Sequence, residues 1–205
     1  MESILRVTSA ATTFNLALEG DVVAECGIID EDYVTRNLPR VSAAIATYCS
    51  RVFARQTYEE TFRLIYRDDV VLNQFPIVSI TSIVEDGVAL AATDYEADLA
   101  SGIILRLSSD ELICWQARKV VFTYIAGFLL PGQTGANLPH EIQMAVFETM
   151  RAMSSALTRD PEVVSESIPN VFSRSYRVIG DSGGSVHLPP RAINLLDNFC
   201  KARFV

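Results

Sequence analysis

Phe75-Pro76-Ile77-Val78-Ser79-Ile80-Thr81-Ser82-Ile83-Val84 opens the stretch whose reading decides the fold. The chain turns at Glu85-Asp86-Gly87, resumes at Val88-Ala89-Leu90 and runs on through Thr93-Asp94-Tyr95-Glu96. Ser101-Gly102-Ile103-Ile104-Leu105-Arg106-Leu107 follows, and Lys119-Val120-Val121-Phe122-Thr123-Tyr124-Ile125-Ala126-Gly127 closes it. Short β-branched and aromatic runs, punctuated by Gly, Asp and Pro, predict a small antiparallel meander. Pro76 stands where the meander begins, a position that tolerates a residue without an N–H.

Helical patterns flank this stretch. Upstream, Gly20 to Gly27 reads as a short helix with Asp21 as a candidate cap and Gly27 as its stop. The acidic run Asp30-Glu31-Asp32 suits the positive end of a helix dipole. Pro39 interrupts that helix or begins another, and Val41, Ala44, Ile45, Tyr48, Cys49 and Val52 then recur as one helical face. Thr57, Glu59, Thr61 and Arg63 alternate with Tyr58, Glu60, Phe62 and Leu64, a strand period. Residues 1–19 are weakly patterned and read as a loosely held lead-in. Downstream, Asn137, Pro139 and Glu141 mark a helix start, with Ile142, Ala145, Val146, Met150, Met153 and Leu157 as its buried face. Val171 to Val178 alternates like an edge strand, and Gly180 to Ser185 reads as a flexible linker. Beyond it, Ala192, Leu195, Leu196 and Phe199 share a helical face. A helix so short is not stable alone and must dock on something. The fold class is therefore α+β: a helical bundle flanking a small antiparallel β-meander, with a tethered C-terminal helix. The expected division is a body at 1–160 and an extended arm at 161–205.

At 205 residues the chain can bury a proper core. Its formal net charge of −8 argues against tight binding of free nucleic acid. The charge is uneven. Residues 1–150 hold 10 Lys and Arg against 20 Asp and Glu, a net −10; residues 151–205 hold 7 against 5, a net +2. The C-terminal part is chemically distinct from the body. Cys26, Cys49, Cys114 and Cys200 show no C-x-x-C spacing and read as reduced thiols. With no membrane-length apolar run and no secretory pattern, a cytoplasmic protein is expected.

Catalytic signatures are weak throughout. Gly127-Phe128-Leu129-Leu130-Pro131-Gly132-Gln133-Thr134 approaches a phosphate-binding loop, but Gln133 replaces the lysine and Pro131 removes an N–H, so it reads as a turn-rich loop. His140 and His187 are the only histidines, too few for a zinc site with unclustered cysteines. A pairing of Cys114 with His140 is arithmetically open, without a local signature to favour it. Glu59-Glu60 and Asp68-Asp69 read as a solvated face and a turn, and Trp115 as a core anchor. No catalytic residue, cofactor or metal is expected. The residues alone lead to an assembly or interaction protein.

Several phrases resemble the head–tail connector (adaptor) proteins of long-tailed bacteriophages. Ile45-Ala46-Thr47-Tyr48-Cys49-Ser50-Arg51-Val52-Phe53 is similar to a helix ending in Tyr-Cys-x-Arg-x-Phe. Phe75 to Ile83 resembles a Pro-Val-x-Ser-Ile strand. Asp86-Gly87, Asp94-Tyr95 and Ser101-Gly102-Ile103-Ile104 resemble the hairpin after it. Val121 to Phe128 resembles Val-x-Tyr-x-Ala-Gly-Tyr, with Phe128 for the tyrosine, and Leu138-Pro139-His140-Glu141-Ile142 resembles a Leu-Pro-x-x-Ile helix start. The likeness spans about residues 20–158, with an echo in Ser165-Glu166-Ser167 and the last helix. It implies a homo-oligomeric ring, twelve-fold in the particle, between a portal protein and a stopper or tail-terminator protein. DNA would pass through its lumen without sequence-specific binding, in a virion neck assembled in the host cytoplasm. It further implies portal docking by the C-terminal segment, with Ala192, Leu195, Leu196, Phe199, Arg203 and Phe204 as the docking residues. A stopper or tail-completion protein of the same neck, and a thiol-dependent enzyme using Cys114 or Cys49, are the alternatives.

Overall fold

A computed structural model describes residues 3–157, 165–168, 172–175, 186 and 188–200. Helices and antiparallel sheets are both present, so the chain is α+β. It divides into two compact units interleaved in sequence. One comprises 1–13 and 52–137, the other 14–51 and 138–205. The described residues 188–200, with the last helix, belong to the second unit.

The first unit is built of β-strands, with a 3-10 turn at Ala92–Asp94. Its main sheet holds β1 (Ser3–Ser9), β2 (Gln56–Arg67), β4 (Ile77–Glu85), β5 (Val88–Ala89) and β9 (Trp115–Ala126), in the order β1-β2-β9-β4-β5. A smaller sheet is built around β7 (Ile103–Ser108). There β6 (Tyr95–Asp98) pairs with it, while β3 (Asp69–Val71) and β8 (Glu111–Ile113) pair with its successive halves. The expected single meander is thus split between two sheets. The reason lies in β9, whose Trp115, Ala117, Val120, Phe122, Tyr124 and Ala126 are all buried. A strand so apolar on one face is best covered at the centre of a sheet, and it lies between β2 and β4 rather than beside its sequence neighbour. Tyr58 faces Tyr124 across the ladder, and Phe62 meets Phe122 edge to face at 5.6 Å. Trp115 is the expected anchor: fully buried, edge-on to Phe122, its indole N–H donating to the Ile104 carbonyl at 3.3 Å.

The expected lead-in contains β1, an antiparallel edge strand on β2. Its side chains are mostly exposed on both faces, so little apolar alternation betrays it.

The second unit is built from α1 (Glu19–Cys26), α2 (Glu31–Tyr48), α3 (His140–Leu157) and α4 (Pro190–Leu196), with a hairpin of β10 (Ser165–Ile168) and β11 (Phe172–Ser175). Gly27 ends α1 in the left-handed region, as its position predicts. Asp21 does not cap α1; Leu18 holds that position, without a side-chain bond. Asp30 does cap α2, its carboxylate accepting from the Tyr33 N–H at 3.0 Å. Pro39 neither interrupts nor starts a helix. It lies on the exposed side of α2, whose buried face runs through Val34, Leu38, Val41 and Ile45 on either side of it. On α3, Ile142, Ala145, Val146 and Met150 are buried as their spacing requires. Asn137 lies three residues before the first residue of α3, outside the cap position, and its side-chain oxygen accepts from the Leu129 N–H at 2.8 Å. The linker expected at 180–185 lies outside the described residues.

Candidate assembly site

The C-terminal helix is the element for which the sequence demands a partner, and it has one. Helix α4 packs on α3, and Ala192 and Leu196 are fully buried. The helix that has to dock on something docks in this structure on its own chain. Pro190 stands in the first turn, where a missing N–H costs nothing, and Ala192 and Leu196 repeat at the helical interval. Leu195 and Phe199 are partly exposed. Arg203, Phe204 and His187 lie outside the described residues.

The segment after α4 is fastened to the end of α2 by three polar contacts. The Tyr48 hydroxyl donates to Asp197 Oδ1 at 3.0 Å. Arg51 Nη1 donates to the Phe199 carbonyl at 3.3 Å. Cys200 Sγ lies 3.3 Å from Cys49 Sγ and equally close to the Leu196 carbonyl. The bond to Asp197 raises the Tyr48 phenol pKa, because a phenol that donates to a carboxylate is costly to ionise. Burial pushes the Cys49 thiol up to about 12, reinforced by Cys200. The helical stripe read from the sequence includes Cys49, which caps the end of α2, but its partner Cys200 lies 151 residues on, and no spacing announces the pair.

The sheet unit carries a buried polar node that the sequence reading misplaces. Glu60 is 0 % exposed, not on a solvated face. Its Oε1 accepts from the Ser3 hydroxyl and from Asn73 Nδ2; its Oε2 accepts from the Asn73 N–H at 2.9 Å and the Tyr124 hydroxyl at 2.8 Å. Four donors on two oxygens suit a group that only accepts. The node joins β1, β2, β9 and the turn after β3. Burial, and then the Glu60 carboxylate, drive the Tyr124 phenol pKa well up. The signal was in the alternation itself, which puts Glu60 on the same face as Tyr58 and Phe62.

The loop that approaches a phosphate-binding motif has no amides to offer at its start. The N–H groups of Gly127, Phe128, Leu129 and Leu130 go to the Pro76 carbonyl, the Phe53 carbonyl, Asn137 Oδ1 and Gln133 Oε1, at 2.7–3.0 Å. A phosphate would need those donors free. Gly127 has φ 101°, and a Cβ there would meet the Ala54 carbonyl oxygen at 2.7 Å, so glycine is required by close backbone packing. Cys114 donates to Asp68 Oδ1 at 2.7 Å, and that bond raises its thiol pKa, against what a nucleophile needs. Among the described residues no group of three His, Cys, Asp or Glu could hold a metal, and no helix is long and apolar enough to cross a membrane.

No protein-family model matches the sequence, and no curated protein matches it. Solved structures do share the fold. A chain from the neck of an empty gene transfer agent (GTA) particle, computed with C6 symmetry, is 17% identical with a TM-score of 0.58, the match covering 98% of this chain and 97% of that one. A chain from the neck of the native particle, computed with C12 symmetry, is 18% identical at a TM-score of 0.53 with the same coverage. A chain from the virion of the native particle is 16% identical at 0.59, again covering 98% and 97%. The likeness runs end to end, and at these identities it is one of fold.

Proposed function

We propose that this chain is a structural subunit of the neck of a phage-like particle: a head–tail adaptor that closes with its own copies into a ring under the portal. The observation that carries this reading is the end-to-end match to chains in particle necks, which takes in both units and the C-terminal helix. The C6 and C12 symmetries of those necks favour a ring of copies, in which one face of each subunit meets a different face of the next. A net charge of −8 suits a wall that DNA must pass without being gripped.

The work is mechanical on this reading rather than catalytic. The raised thiol pKa values at Cys49 and Cys114 support that, since a nucleophilic cysteine needs the opposite shift. Portal and stopper proteins are the proposed neighbours, with the C-terminal segment as the portal contact. Leu195 and Phe199 can serve there directly, whereas Ala192 and Leu196 can do so only if α4 leaves α3.

Capture by a portal protein of the same particle tests the proposal. Portal is expected to retain the full chain and to lose a variant lacking residues 186–205, and reconstruction of the complex should show a closed ring. Capture by the tail-tube protein alone would move the chain to a stopper or tail-completion role. Turnover of any substrate that disappears with Cys114→Ala or Cys49→Ala would remove the adaptor reading.

A further inference from the structure

Cys49 and Cys200 are poised to become a disulfide. Their sulfurs lie 3.3 Å apart at the junction of α2 and the C-terminal segment, inside one compact unit. Neighbouring contacts hold both segments in place: Tyr48 on Asp197 before the pair, and Arg51 on the Phe199 carbonyl beside it. Forming the bond asks each sulfur to move by well under an ångström towards the ~2.05 Å of a disulfide. The two sulfurs also differ in access. Cys49 is fully buried, while Cys200 is partly exposed.

We infer that Cys49 and Cys200 form an oxidative modification site for hydroperoxides, whose product bolts the C-terminal helix to its own subunit. The sulfur of Cys200 attacks one oxygen of the peroxide, the O–O bond breaks, and the alcohol or water leaves with a proton. Cys200 is then a sulfenic acid. The sulfur of Cys49 attacks the Cys200 sulfur, the S–O bond breaks, and hydroxide departs with the Cys49 proton as water. Two thiols and one hydroperoxide give one disulfide, one alcohol or water from the peroxide, and one further water; the thiols lose two electrons and the peroxide gains them. The high pKa of Cys49 makes the second step slow and shields that thiol from direct oxidation. Once closed, the bond ties the end of α2 to the segment that follows α4, and that segment can no longer leave its own subunit. The inference stands on the geometry of the helical unit and is independent of the neck proposal.

The test uses the full chain, reduced and then exposed to hydrogen peroxide. Trypsin digestion without reductant should join the peptide 41–51, which carries Cys49, to the peptide 192–201, which carries Cys200, the joined species being two hydrogens lighter than the sum. In a Cys26→Ser/Cys114→Ser variant the free thiols should fall from two to none with the chain still monomeric on a non-reducing gel, and dithiothreitol should restore both. The thermal midpoint should rise on oxidation and return on reduction, with no such rise in Cys200→Ser. Persistence of both thiols in the double variant, or a crosslink made between chains instead of within one, overturns the inference. Because the peptide map and thiol count need no Cys49 or Cys200 substitution, a misfolded variant cannot decide the result.

Discussion

Glu60 shows how a single carboxylate can tie three strands and a turn together. Its removal leaves the Tyr124 hydroxyl without its acceptor in the interior and takes acceptors from the part-buried Ser3 and Asn73 donors. Glu60→Ala should therefore cost about 3 kcal/mol, since each uncompensated buried group carries its own desolvation penalty. Glu59→Ala, one position along and facing the other way, should stay within about 0.5 kcal/mol. Urea midpoints with unchanged slopes would check both, and equal costs would refute the node. Tyr124 adds a pH dependence. Its pKa is raised above the ordinary 10.0 in the folded chain. Below that value both states keep the proton, and the contribution to stability is complete. As pH climbs past about 10, the unfolded phenol ionises while the folded one cannot, so stability falls. Tyr124→Phe should start less stable near neutrality but decline less steeply between about pH 10 and 11, as read by urea midpoints across that range. The inward facing of Glu60 was visible in the alternation of 57–64. What hid Glu60 was the habit of placing acids in water, which fails wherever donors converge from distant positions such as 3 and 73.

Elements were legible where the chain repeats an apolar interval and obscure where it does not. The face of α3 and the Val41 and Ile45 part of the α2 face follow from their spacing, because packing one stripe on a core is what stabilises such helices. Tyr48, counted on that stripe, is instead 37% exposed, and Val52 lies beyond the end of α2. Strand β1 escaped because an edge strand exposed on both sides carries almost no period to read. Pro39 escaped for the opposite reason: a strong local rule was outvoted by burial. Val34 and Leu38 before it and Val41 and Ile45 after it are fully buried, and that face holds the helix together through the missing hydrogen bond. The bond is still absent. Pro39→Ala should restore it at an exposed position, stabilising the chain by about 1–2 kcal/mol after the lost rigidity of the unfolded proline is subtracted. An unchanged or lowered thermal midpoint would mean that α2 has already adapted its backbone to the ring. Helix α4 was read correctly as needing a partner; the identity of that partner, α3, could not be read because the two lie more than thirty residues apart across a stretch without strong periodicity.

At the scale of the whole molecule, the α+β class was plain from the mix of periods, whereas the division into two interleaved units was not. Composition shifts mark a boundary only when a unit is one continuous run, and here each unit is assembled from two segments. What composition does give is the charge, and charge governs assembly. Each copy carries a formal −8. Twelve such copies in the proposed ring repel one another, and the repulsion reaches over about 30 Å at ~0.01 M salt but only about 10 Å at ~0.1 M. If apolar contacts between unlike faces drive closure, added salt screens the repulsion and leaves the attraction, so rings should gain over monomers as salt rises. If ion pairs between subunits drive it, the same salt should dissolve the ring. The acidic balance of residues 1–150, at a net −10, leaves too few cations there for ion pairs to dominate. Sedimentation velocity of the purified chain, with and without portal, across that salt range should show the larger species favoured at the higher concentration. A ring that forms best at the lowest salt would mean that matched charges, drawn from the basic C-terminal stretch, make the contact.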